Sequence, residues 1–118
     1  MIPYPVFRSI LMCAGHPTYK DYVEEVKDFD GCSDYIDEAE MSGVIYRTWL
    51  YARNNSFSTV RQFTGWSRAK FAREFGIYAK TLEAWEKGTS QPRQWVIDLL
   101  AYAVICGGVP GEEQAEKE

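Results

Sequence analysis

Residues 67–88, from Ser67 to Gly88, read S-R-A-K-F-A-R-E-F-G-I-Y-A-K-T-L-E-A-W-E-K-G, and they decide the fold. The stretch predicts two short helices with a tight corner between them. Ser67 is a good N-cap residue, because its hydroxyl can take an orphan backbone N–H of the first turn. Phe71 and Phe75 then sit one turn apart on one face. Gly76 falls where the helix must end with positive φ, which glycine adopts at least cost. After the corner, Ile77, Leu82 and Trp85 return to an apolar face, and Gly88 closes the second helix. Ala72, small and mid-helix, lets the second helix cross closely over the first.

Two architectures share this pattern. One is a helix-turn-helix, whose second helix is offered to the major groove. The other is an αα-hairpin with no nucleic-acid role. Charge separates them. The chain carries a net −4, but residues 53–93 hold eight basic side chains (Arg53, Arg61, Arg68, Lys70, Arg73, Lys80, Lys87, Arg93) against three acidic ones (Glu74, Glu83, Glu86), net +5. Residues 1–52 are net −5 and residues 94–118 net −4. A positive block that coincides with the paired helices is the footprint of an anion-facing surface.

Working outward, Phe7, Ile10, Leu11 and Ala14 form a helical stripe within 4–14. Gly15-His16-Pro17 breaks it, and Thr18 is placed to cap a helix with Tyr19, Tyr22, Val23, Val26 and Phe29 on one face. Asp30-Gly31-Cys32-Ser33 predicts a turn. A third helix is expected from Asp34 or Asp37 to Ala52, with Met41, Ile45 and Trp49 stacked. Residues 57–66 predict a short helix capped by Ser58 and stopped at Gly65. A final helix is expected over 92–106, opened by Pro92 and apolar enough to pack on both sides. The fold class is all-α. The expected division is an N-terminal helical extension over 1–56, a helix-turn-helix domain over 57–107, and an acidic flexible tail over 108–118.

The strings W-S-R-A-K-F-A-R-E-F-G-I and T-L-E-A-W-E-K-G-T-S-Q-P resemble the Cro/phage-repressor (XRE-like) helix-turn-helix family. Ser67, Phe71, Ala72, Gly76, Leu82, Trp85, Glu86, Gly88 and Pro92 carry the resemblance, over somewhat under half of the chain. It implies a five-helix repressor-like domain, preceded here by about three N-terminal helices, with helix 78–87 in the major groove. By position it implies base contacts from Ala79, Lys80, Thr81 and Ala84. Phosphate contacts would come from Arg68, Tyr78, Lys87, Thr89, Ser90 and Arg93, and an ion pair would join Arg61 to Glu86. Two alanines among the four base-facing positions depart from a hydrogen-bonding readout, which leaves three outcomes open: modest discrimination, reliance on DNA shape, or none.

Composition limits the alternatives. Hydrophobic content of 46% is ample for a packed core, and no apolar run approaches the roughly 20 residues needed to span a bilayer. The N-terminus lacks a basic leader and does not read as a signal peptide. Three cysteines (Cys13, Cys32, Cys106) without paired spacing suit free thiols in a reducing cytoplasm. Cys13 and His16 offer two metal ligands and no complete zinc site. The acids Asp21, Glu24, Glu25 and Asp28 suit a solvated helix face. No enzyme is expected, and no cofactor. The expected partners are double-stranded DNA and a second copy of the chain in a homodimer, at no membrane. Two alternatives are an antitoxin whose N-terminal helices clamp a toxin protein, and a helix-turn-helix module reused for protein contact.

Overall fold

The computed structural model describes residues 2–27 and 37–107, all helix and turn with no strand among them. Seven helices follow in order: α1 (Tyr4–Met12), α2 (Tyr19–Lys27), α3 (Glu38–Asn54), α4 (Phe57–Thr64), α5 (Arg68–Phe75), α6 (Ala79–Lys87) and α7 (Gln94–Cys106). The expected turn at Asp30–Ser33, the packing of Phe29, the acid Asp28, the thiol of Cys32 and the tail beyond Gly107 lie outside the described residues.

Local chemistry accounts for most boundaries. Pro5 lies in the first turn of α1, where its missing N–H has no helical acceptor to lose. Thr18 Oγ1 accepts from the Asp21 amide at 3.2 Å and opens α2. Asp37 Oδ1 accepts from the Glu40 amide at 2.8 Å and opens α3. That helix ends at Asn55, left-handed at φ 44°, the one non-glycine residue with positive φ among those described.

Three expectations need correction. Ser56, not Ser58, caps α4: it is extended (φ −135°, ψ 152°), and its hydroxyl accepts from the Thr59 amide at 3.3 Å. Ser58 lies inside the first turn, where its own N–H is already among those needing a cap. The last helix starts at Gln94 instead of Pro92, because Arg93 keeps an extended ψ of 149°. The Arg93 carbonyl then takes the first helical bonds, from the Val96 and Ile97 amides. Finally, residues 57–106 hold four helices and not five. The chain spends 88–93 on a turn, and α7 then runs without a breaker to Gly107.

α7 is the spine of the molecule. It packs against α4, α3 and α1, while α2 leans on α3. Phe7 and Ile10 of α1, Tyr22 of α2, Tyr51 of α3, Val60 of α4 and Ala101 of α7 are buried in one continuous apolar core. α5 and α6 pack on each other, and α6 also rests on α4. The N-terminal helices therefore settle on α4 and α7 and leave the α5–α6 pair at the other side.

Polar ties hold the extension in place. Tyr22 Oη donates to the Ile10 carbonyl at 2.9 Å, and Tyr102 Oη to the Ile2 carbonyl at 2.5 Å. Arg53 lies over the Trp49 ring, 3.6 Å from its centroid, and donates to the Ala14 carbonyl at 2.9 Å. Asp98, buried in α7, accepts from Arg8 Nη1 at 2.7 Å, Tyr51 Oη at 2.6 Å and Gln94 Nε2 at 2.9 Å. Arg53 thus belongs to the extension and not to the cationic ridge with which its sequence position grouped it.

Candidate nucleic-acid interface

The site is built on the corner between α5 and α6. Ser67 Oγ accepts from the Lys70 amide at 3.1 Å. Gly76 takes φ 68°, and the Ile77 amide beyond it returns to the Ala72 carbonyl at 2.9 Å, so the reversal is closed by backbone hydrogen bonding. A β-carbon at Gly76 would meet no atom within 4 Å, so the glycine is required by its backbone angle and not by crowding.

Aromatic packing fixes the crossing from beneath. Phe71 is fully buried and stacks on Phe75, with ring centroids 4.4 Å apart. Phe57 meets Phe71 edge-on at 5.1 Å and Trp85 at 5.6 Å, so α4, α5 and α6 share one ring cluster. Leu82 is fully buried and turns the opposite side of α6 outward.

An ionic node lies beside this cluster. Glu86 Oε1 receives Arg61 Nε at 2.6 Å, and Glu86 Oε2 receives Arg68 Nε at 2.7 Å. The Glu86 side chain is 7% exposed. Burial pushes its carboxyl up, but the hydrogen bonds and charges of Arg61 and Arg68 outweigh burial and hold it below its ordinary value. Arg61 Nη1 also donates to the Trp66 carbonyl at 2.9 Å, tying α4 to the entry of α5. The sequence reading assigned Arg68 to phosphate and gave it no partner. In the structure Arg68 bridges α5 to α6 and remains 39% exposed.

The outward face of α6 holds the residues assigned to bases. Ala79 and Lys80 are exposed; Thr81 and Ala84 are half-buried along its flanks. Tyr78, at the helix entry, is 85% exposed and makes no side-chain cap. Past Gly88, Thr89, Ser90 and Arg93 are exposed on the turn leading to α7. Lys87 is engaged: its Nζ lies 2.6 Å from Glu83 Oε1, one helical turn back.

Glu83 received no role from sequence, although its spacing to Lys87 was visible there. Its carboxyl is held below the ordinary range by the hydrogen bond from Lys87, then by that lysine's charge, with smaller contributions from Arg68 and Lys80. Lys70 Nζ lies over the Trp66 ring, 5.0 Å from the centroid.

Away from the ridge, His16 hydrogen-bonds Glu25 in the α1–α2 corner. Burial and then Glu25 push the Cys13 thiol up. Among the described residues no group of His, Cys, Asp and Glu is arranged to hold a metal ion, and no helix is long and apolar enough to cross a membrane. No family model, curated protein or solved structure matches the chain.

Proposed function

We propose that this chain is a sequence-selective, double-stranded-DNA-binding regulator of the repressor type. In it α5, Gly76 and α6 form the helix-turn-helix, and α6 enters the major groove. The observation that carries the proposal is that α6 presents Lys80 and Ala79 uncovered, while α1 packs on α7, α3 packs on α4 and α7, and α2 packs on α3. Lys80 donates to guanine O6 or N7, and the Thr81 and Ala84 methyls touch a thymine methyl. Arg68, Tyr78, Lys87, Thr89, Ser90 and Arg93 engage phosphates and set the register. Two copies bind half-sites about one helical turn, ~34 Å, apart.

Binding-site selection on random duplexes at two ionic strengths tests this. A selected motif is expected, with log K falling against log salt at a slope of about −4 to −5, from about five neutralised phosphates. Lys80→Ala and Thr81→Ala weaken the selected site selectively, whereas Arg68→Ala and Arg93→Ala weaken all sequences alike. Absence of both the motif and the salt dependence overturns the proposal. Folded protein that binds no duplex at low salt would assign the ridge to a protein partner instead.

A further inference from the structure

We infer that Glu83 is the specificity-determining acceptor of this surface, a carboxylate that selects a cytosine at one position of the bound duplex. The inference rests on the DNA-binding proposal above and adds a residue that the resemblance does not assign. Around α6, each residue advances about 100°, so Glu83 lies about 60° from Lys80 and about 100° from the buried Leu82, on the flank of the outward face. By that measure it faces outward at least as directly as Ala79 or Thr81. It is 42% exposed. Ala79 and Ala84 carry no hydrogen-bonding atoms beyond the backbone, which leaves Glu83 as the one carboxylate beside the cationic Lys80 and the hydroxyl of Thr81.

A carboxylate facing duplex DNA normally repels it. Three cations answer that repulsion here. Lys87 Nζ lies 2.6 Å from Glu83 Oε1, and Arg68 and Lys80 act on it electrostatically. The same lysine contact restricts the side chain, and among the described residues the second carboxylate oxygen has no donor at hydrogen-bond distance. An ionised carboxylate accepts from cytosine N4–H2 and is repelled by the acceptor pair O6 and N7 of guanine. The chemistry recognised is therefore an exocyclic amine on a major-groove edge, next to the base read by Lys80.

The test is random-duplex selection with the full chain and two variants, Glu83→Ala and Glu83→Gln. The unmodified chain is expected to enrich a cytosine next to the guanine read by Lys80. Glu83→Ala is expected to lose that preference by about tenfold while keeping the rest of the motif. Glu83→Gln, which donates as well as accepts, is expected to move the preference toward adenine. A motif unchanged in both variants overturns the role of Glu83 and leaves the DNA-binding proposal standing. If the unmodified chain selects no motif at either ionic strength, both fall. Circular dichroism of each variant guards the interpretation: helicity equal to that of the unmodified chain places any change at the surface. Should Glu83→Ala lose helicity, the single change Glu83→Gln decides alone.

Discussion

At the scale of single residues, Glu86 shows what a sequence does and does not disclose. The spacing of Arg61 and Glu86 suggested a pair through the family resemblance, and their atoms lie 2.6 Å apart. The share that Arg68 takes, at 2.7 Å, was not legible. A side chain at the start of a helix faces solvent or a neighbour according to the crossing angle, which no local pattern encodes. The pairing makes stability depend on pH. Because the folded carboxyl lies below its ordinary 4.5, its contribution is fully present above that value and is lost as pH falls through the folded pKa. Glu86→Gln is therefore expected to flatten the decline in melting temperature seen below about pH 4.5. Glu86→Ala is expected to cost about 2 kcal/mol at neutral pH, less than the ~3–5 of a fully buried pair, because both arginines keep some water. Chemical denaturation at pH 7 and pH 3.5 measures both; equal losses at the two pH values would contradict the assignment.

Between elements, the tie that matters most is Asp98. Tyr51 Oη of α3 donates to Oδ1 at 2.6 Å, and Arg8 Nη1 of α1 donates to Oδ2 at 2.7 Å, so one buried carboxylate joins three helices. Burial, then Asp98 itself, push the Tyr51 hydroxyl well above its ordinary value, so it remains a donor throughout the working range. Tyr51→Phe is expected to cost about 1.5 kcal/mol, the value of a hydrogen bond to a charged acceptor. Asp98→Ala is expected to cost about 3 kcal/mol, because it strands the buried phenol and a guanidinium together. In the double variant the two costs should fall well short of additive, which urea titration of the four proteins would measure. Full additivity would mean that the bond contributes nothing. The caps at Ser67, Gly76 and Gly88 were legible because each acts within a few residues of itself. Ser56 and Ser58 were confused because both stand near the boundary and only the backbone angle chooses between them. Asp98 was legible only as a charge in an apolar helix. Its partner Arg8 stands 90 residues earlier, and such a pairing exists only once the chain has folded.

For the whole molecule, the division of charge and the division of packing do not coincide. The positive block begins near residue 53, yet the apolar core runs from Ile2 to Ile105 without a break there. α7 is nearly apolar around its circumference, and α4 can cover only part of it. α1 and α3 cover more of it, leaving Trp95 and Leu99 exposed, and they supply Arg8 and Tyr51 to Asp98. A fragment of residues 57–107 would keep the α5–α6 corner and its capping bonds. It would also expose apolar surface of α7 and leave Asp98 without two of its donors. Uncovering a single large apolar side chain costs about 1.5–3 kcal/mol, and a few such losses consume the ~5–15 kcal/mol of an ordinary domain. The fragment is therefore expected to show reduced helicity, no cooperative thermal transition and strong binding of a hydrophobic dye, while the full chain melts cooperatively. Its affinity for the selected duplex should fall with the folded fraction, and saturating duplex should restore helicity, since a ligand of the folded state draws the equilibrium toward it. A fragment that melts as sharply as the full chain would show that the extension is an addition to a self-sufficient α4–α7 unit. Loss of folding on truncation would make residues 1–56 part of the scaffold that holds α6 outward.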